Sequence, residues 1–272
     1  MLNTDMENKI VEIVYIVTGD YCNYAKDFFG TLKFFMPGVK KIVTVLSDKM
    51  EEYGDFTTDD VIKTNVIKMF DLIYPCINLH KSYFIEQLPN SGADYILYFD
   101  ADTKFKEVND YKWDDIFSAM DCGNVIISRH PVYAMKDGEF LFGVEKKYFI
   151  ENFFSTNMTE RDERRASYIP AKEYTYIISS FFGAKREVMS KLNKYIISMT
   201  RKDLTRETIY HIPPYMDENY FNAINYDFEN KINSNVKFCV NQYSELLDTA
   251  NDEYDTVFMY QKNFKNFKTN RR

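Results

Sequence analysis

Residues 94–105 read DYILYFDADTKF. The apolar run Tyr95 to Phe99 has the length and the aromatic and aliphatic content of a buried strand. It stops abruptly on Asp100-Ala101-Asp102. Two carboxylates at i and i+2 on a tight turn repel each other unless something neutralises them. A divalent cation does this well. Hard oxygen ligands suit Mg²⁺ or Mn²⁺, and these ions commonly bridge carboxylates to substrate phosphates. The stretch therefore predicts a metal–diphosphate site with Asp100 and Asp102 as metal ligands; a solvated turn is the plain alternative.

Outward from this stretch the chain alternates strands and helices. Ile10 to Val17 (IVEIVYIV) is a β-branched strand closed by the turn Thr18-Gly19-Asp20. Residues 23–35 have helical spacing up to Pro37-Gly38. Lys41 to Leu46 and Val61 to Val66 predict two further strands, and Ile77 to Leu88 a helix that Pro89-Asn90-Ser91-Gly92 stops. After the opening strand, Trp113 to Met120 reads as a helix and Asn124 to Ser128 as a strand. This pattern belongs to an α/β domain, a mostly parallel, Rossmann-like sheet flanked by helices. Ligands of such sheets bind beyond the carboxyl ends of the strands, which is where the aspartate pair falls.

The second half is less regular. Tyr174 to Gly183 (YTYIISSFFG) is a strand-like run, Arg186 to Thr200 a helix, and Met216 to Tyr226 a helix opening after Pro213-Pro214. With no repeat or linker, residues 1–272 read as a single domain. About 10–130 form a nucleotide-type half, about 131–261 a substrate-type half, and 262–272 a basic tail.

Bulk composition narrows the function. The 272 residues carry a net charge of −7, which argues against a general nucleic-acid binder. The tail is the local exception, with Lys262, Lys265, Lys268, Arg271, Arg272 and no acid. It is expected to be a solvated terminus, a flap over an anionic ligand, or a peripheral contact with an anionic membrane surface. The four cysteines, Cys22, Cys76, Cys122 and Cys239, have no CxxC spacing, which fits free thiols in a reducing compartment. No apolar run approaches the ~20 residues that span a bilayer, and the start MLNTDMENK is too polar for a signal peptide. The expectation is a cytoplasmic protein without a transmembrane segment, possible contact with the inner face of the membrane being left to the tail.

Three chemistries use an Asp-x-Asp element. A haloacid-dehalogenase-like phosphatase places Thr two residues after the second Asp; here that position is Lys104, and Thr103 comes one place early. An EF-hand loop needs Gly at its sixth position, where this chain has Phe105. A nucleotide-sugar glycosyltransferase uses the element to hold a metal on a diphosphate.

The third reading accounts for the second half. Residues 160–183, ERDERRASYIPAKEYTYIISSFFG, resemble the retaining α-1,3-galactosyl/N-acetylgalactosaminyltransferases that include the blood-group A and B enzymes, glycosyltransferase family six. Glu160-Arg161, Tyr168-Ile169-Pro170 and Phe181-Phe182-Gly183 follow the family order. His130-Pro131-Val132-Tyr133 resembles its His-Pro-Gly-Phe/Tyr, Tyr215-Met216-Asp217-Glu218 its Trp-His-Asp-Glu, and residues 75–81 (PCINLHK) its Pro-x-x-Thr-Leu-x-Arg. The likeness covers roughly residues 15–263. The chain departs from the pattern at Tyr215 (Trp), Met216 (His), Lys81 (Arg) and Ser179-Ser180 (a Gly/Ala pair). It resembles bacterial members in lacking a membrane anchor, and it keeps the metal-dependent form of the motif.

The resemblance implies a GT-A-type domain with an irregular, acceptor-binding C-terminal half. It implies transfer of galactose or N-acetylgalactosamine from UDP-galactose or UDP-N-acetylgalactosamine, with Mn²⁺ or Mg²⁺, to a β-galactoside-type acceptor on an oligosaccharide or glycolipid. Asp100 and Asp102 would hold the metal on the diphosphate. Tyr15, Ile16 and Val17 would border the uracil, with Tyr15 stacking on the base. Lys81 would neutralise donor charge or hydrogen-bond the sugar, Lys262 would come from the closing tail, Ser179 and Ser180 would border the sugar, and Asp217 would orient it. His130 and Tyr215 would contact the acceptor. Glu218 would stand beside the anomeric carbon as nucleophile or stabiliser of its positive charge, on the acceptor side. The competing functions are a catalytically weakened UDP-sugar- or glycan-binding relative, and a Mg²⁺-dependent Asp-x-Asp phosphatase.

Overall fold

The computed structural model describes residues 8–260 except 50–52, 54–55, 57, 73–74, 109–110, 135–139, 142–143, 154–158, 171–173, 206–211, 214, 232–235 and 247–256. The first half runs β1 (Ile10–Ile16), α1 (Ala25–Thr31), β2 (Lys40–Ser47), β3 (Val61–Lys68), α2 (Cys76–Glu86), β4 (Tyr95–Phe99), β5 (Thr103–Phe105), α3 (Trp113–Asp121) and β6 (Asn124–Arg129). The second half adds β7 (Phe140–Leu141), β8 (Val144–Glu145), α4 (Lys146–Phe153), β9 (Ile177–Lys185), α5 (Arg186–Thr205), α6 (Met216–Glu229), β10 (Lys237–Asn241), β11 (Ser244–Leu246) and β12 (Phe258–Tyr260).

Seven strands form one sheet in the order β10-β6-β9-β4-β1-β2-β3. Only β9 runs antiparallel to its neighbours. The strands therefore come from both halves of the chain, and helices flank the sheet. Strand order reverses between β1 and β4, the topological switch point at which α/β sheets open a ligand crevice.

The central strands are apolar because both faces are covered. The one acid inside β1, Glu12, is 1% exposed. It accepts hydrogen bonds from Thr44 Oγ at 2.7 Å, Ser91 Oγ at 2.6 Å and Arg186 Nη2 at 2.6 Å. A buried carboxylate with three such partners is satisfied, and it ties the α2–β4 connection and the start of α5 to the sheet. Beneath β4 the aromatic content gathers into a cluster. Phe35 packs edge-on to Phe99 and Trp113, and Phe28 and Phe99 meet Phe105.

Two local readings need correction. The single helix expected over residues 23–35 is a 3-10 turn (Gly19–Tyr24), then α1, then a second 3-10 turn (Leu32–Phe34). Gly30 lies inside the segment, and glycine weakens a helix interior; Met36 and Gly38 then take positive φ, 47° and 80°, and turn the chain into β2. The second correction is a small sheet, β11-β12-β5, that the sequence pattern did not predict. It pairs Tyr260 with Thr103, so the chain leaves β12 beside the residue that follows Asp102.

Phe181-Phe182-Gly183 is explained by packing. Phe181 stacks on Phe99 at 4.7 Å and Phe182 on Tyr98 at 5.1 Å. A Cβ on Gly183 would overlap the Leu97 side chain, so a larger residue there would require Leu97 to move. Among the described residues no helix is long and apolar enough to cross a membrane, and all four cysteines are free.

Candidate active site

The site is assembled at the carboxyl end of β4 from four elements. Asp100 follows β4 directly, and its amide donates to the Ser180 carbonyl at 2.8 Å. Thr103 N closes the turn on Asp100 O at 3.2 Å. Asp102 is 6% exposed, while the Asp100 side chain keeps 28% of its surface open.

Across the sheet, the β6–β9 register shifts between Ile127 and Ser128. Ile127 faces Phe182 and Ser128 faces Ile178, leaving residues 179–181 without a counterpart on β6. Such bulges re-aim side chains. Here the consequence is that Ser179 Oγ donates to Asp217 Oδ2 at 2.8 Å.

Asp217 and Glu218 form the first turn of α6. Met216 before them has φ 47°, a left-handed conformation that costs a non-glycine residue on the order of 1 kcal/mol and clusters at functional sites. The Asp217 side chain is buried. It does more than face the positive helix end, because it pairs with Lys81 Nζ at 2.9 Å.

Lys81 is the hub. Projecting from α2, it is only 4% exposed, which excludes a surface lysine. Its ammonium lies 3.4 Å from Asp100 Oδ1, donates to Ser179 O at 3.2 Å, and sits 4.5 Å from the centre of the Tyr98 ring. Burial by itself would lower its pKa; Asp100 and Asp217 outweigh that and hold it above the ordinary lysine value. Burial pushes the Asp217 carboxyl upward, and Lys81 and Ser179 offset only part of this. Tyr98 Oη donates to Asp100 Oδ1 at 2.8 Å and completes the cluster.

Glu218 lies one position further along α6 and is half-buried. Its Oε1 accepts a hydrogen bond from Tyr176 Oη at 2.6 Å. His130, at the end of β6, takes the amide of Val132 on Nδ1 at 3.2 Å. Its ring lies 5.3 Å from Phe149 and 6.0 Å from Tyr176, so the backbone bond leaves it at the aromatic wall beside the Glu218 partner. Tyr215 caps α6 and is half-buried. Ser180 contributes its carbonyl to the Asp100 turn.

The expected uracil-stacking role of Tyr15 does not fit its position. Tyr15 is 0% exposed, its ring stacks on Phe28 at 4.0 Å, and Phe29 meets it edge-on. Its hydroxyl donates to Ala101 O at 3.0 Å, so Tyr15 acts from the core by fixing the backbone between the two aspartates. Ile16 and Val17 are likewise buried at the end of β1. Lys262 and the basic tail lie outside the described residues.

As a metal site, Asp100 and Asp102 offer the right donor chemistry, two carboxylates on one turn. Among the described residues no group of three His, Cys, Asp or Glu gathers to hold an ion. An ion of the Mg²⁺ or Mn²⁺ kind would have to complete its shell here from phosphate and water oxygens.

Sequence reasoning missed Tyr98, Tyr176 and Asn222, the last a residue of α6 whose amide bonds both backbone groups of Ile177. The tyrosines read as strand aromatics, and Asn222 as a polar position of a helix. No protein-family model matches the chain, and a search of curated proteins finds no match.

Proposed function

We propose that the chain is a retaining, GT-A-type glycosyltransferase. It moves galactose or N-acetylgalactosamine from a UDP-sugar in α-1,3 linkage to a β-galactoside-type acceptor on an oligosaccharide or glycolipid. One observation carries the reading. Residues 75–81 and 215–218 are separate pieces of the family resemblance, 100–102 is the Asp-x-Asp turn, and 179–180 is where serines replace the family's Gly/Ala pair. Lys81, Asp100, Ser179 and Asp217 from these four stretches meet within hydrogen-bonding or ion-pairing distance at the carboxyl end of β4. Glu218 and Tyr215 come with Asp217 on the same helical turn.

In this reading Asp100 and Asp102 hold Mn²⁺ or Mg²⁺, which when bound neutralises the diphosphate and makes UDP a better leaving group. Asp217, fixed by Lys81 and Ser179, orients the donor sugar. Glu218 supplies the anion that stabilises positive charge at the anomeric carbon. The basic charge of the tail from Lys262 on suits phosphate or an anionic membrane surface on the cytoplasmic side.

The test is a panel of UDP-sugars scored for slow hydrolysis with Mn²⁺, with EDTA, and with Asp102→Asn. The expected result is cleavage of UDP-galactose or UDP-N-acetylgalactosamine that EDTA abolishes and Asp102→Asn cuts severely. Hydrolysis of simple phosphate esters without UDP-sugar cleavage would replace the reading with a phosphatase. Tight UDP-sugar binding without turnover would replace it with a binding relative.

A further inference from the structure

We propose that Tyr176 is a positioning residue for Glu218, its phenol fixing one carboxylate oxygen and favouring the ionised form of the acid. Tyr176 immediately precedes β9 and is 1% exposed. Its Oη donates to Glu218 Oε1 at 2.6 Å, the short distance of a charge-assisted bond.

The backbone on both sides of this bond is clamped. Asn222 Nδ2 donates to Ile177 O at 2.8 Å, and its Oδ1 accepts from Ile177 N at 2.9 Å. The same Nδ2 donates to Glu218 O at 2.9 Å. Three residues along α6, Asn225 Nδ2 donates to Thr175 O at 2.8 Å. Residues 175–177 and the first turns of α6 are thereby held in one register. The approach of phenol to carboxylate follows from that register rather than from the choice of two flexible side chains.

Burial pushes the Tyr176 hydroxyl far above its ordinary value, and the charge of Glu218 adds to this. Tyr176 therefore stays protonated, and a donor, at every working pH. Among the described residues, the groups around the pair include Tyr174 from the segment before β9, Tyr215 at the start of α6, His130 after β6 and Tyr133, whose hydroxyl accepts from the Tyr176 amide at 3.4 Å; Arg161 and Glu229 act on Tyr174. The buried phenol does not reach a sugar, so its influence on chemistry passes through Glu218. That catalytic consequence rests on the transferase reading; the coupling of the two side chains does not.

The experiment is Tyr176→Phe in the full chain, read in two ways. The Glu218 carboxyl is titrated by carbon NMR on glutamate-labelled protein, its signal assigned by loss in Glu218→Gln. A hydrogen bond to a carboxylate favours its charged form, so removing it should move the titration up by about one to two pH units. In UDP-sugar hydrolysis the acid limb of kcat should move in the same direction. At its optimum kcat should fall on the order of tenfold, as for one lost hydrogen bond, with KM within about twofold. If Tyr176→Phe does not fold, 3-fluorotyrosine at 176 keeps the ring and strengthens the donor, and the titration should move down instead.

An unmoved carboxyl titration overturns the proposal. So does a glycosyl adduct recovered on Tyr176, which would make the phenol the nucleophile. If the titration moves while the wild-type protein cleaves no UDP-sugar, the coupling stands and the transferase reading falls. If the wild type is active but Tyr176→Phe changes neither titration nor acid limb, the reading stands and the role of Tyr176 falls.

Discussion

Two lysines among the described residues are almost completely buried, and they behave in opposite ways. Lys41 at the start of β2 is 0% exposed and Lys81 in α2 is 4% exposed. Lys41 donates to the carbonyls of Met36 and Val39, and its nearest carboxylate is Asp60 at 3.4 Å. Burial lowers its pKa to about 8, against the pull of Asp60. Lys81 is as deeply buried, yet Asp100 and Asp217 hold it above the ordinary value. Depth alone therefore does not set the charge of a buried amine; the number of carboxylates brought to it does. Lys41 pins a turn. Lys81 joins the turn after β4 to the first turn of α6, the two places where the carboxylates of the proposed site sit.

The comparison breaks most visibly at Lys81. Lys81→Met should leave Asp217 buried without its cation, and removing one partner of a buried pair typically costs about 3–5 kcal/mol. Denaturant unfolding should register that loss, and UDP-sugar cleavage should disappear as the Asp100 turn and α6 lose their common tie. A Lys81→Met protein of wild-type stability would mean that water already reaches Asp217.

Glu218→Gln sharpens the same contrast from the other side. Glu218 is half-buried and accepts a hydrogen bond from a neutral phenol, whereas Asp217 is buried against the Lys81 ammonium. The substitution keeps the shape and removes the anion. By analogy with the loss of a preorganised electrostatic partner, it should cost about 2.7–4 kcal/mol of activation energy, a hundred- to a thousandfold in rate. UDP affinity and the unfolding midpoint should hardly move. Steady-state hydrolysis, UDP titration and a thermal melt on one preparation separate these effects, and a rate within a fewfold of wild type would remove Glu218 from the mechanism.

The same contrast shows what could be read from the chain. β1, β2 and β4 were legible because β-branched and aromatic runs closed by turn residues leave few alternatives. The position of the aspartate pair just beyond β4 was legible because the apolar run stops abruptly on it. The burial of Lys81 was not, since a lysine on a short helix ordinarily faces water; only the return of Asp217, much later in the sequence, makes its position tolerable. Tyr15 misled for a related reason. An aromatic at a strand end reads equally as a base platform or as core, and Phe28 decides for core. β5, β11 and β12 are each three residues long, too short to carry a period. Tyr176 read as one more strand aromatic because the alternation does not show which helix turn its hydroxyl will meet.

The smallest expected effect belongs to Lys41, and its sign can be worked out. The folded value is about 8 and the reference value 10.5. Below pH 8 both folded and unfolded chains carry the proton, and folding bears the full cost of burying the ammonium. Between 8 and 10.5 the unfolded chain keeps a proton that the folded chain has released, so stability rises with pH across this window. By pH 9.5 the gain should be about 2 kcal/mol. Tyrosines also begin to titrate there, so the clean measurement is the difference between wild type and Lys41→Met, in which their contributions cancel. At pH 7 that substitution should cost less than half of what Lys81→Met costs. It gives up two carbonyl contacts and a carboxylate that keeps 20% of its surface open, but it also removes the buried charge. Between pH 7.5 and 9.5 the wild type should gain about 2 kcal/mol relative to Lys41→Met in urea unfolding. A flat difference would mean that Lys41 keeps its proton as Lys81 does, and that two backbone carbonyls with one carboxylate serve a buried ammonium as well as two carboxylates do.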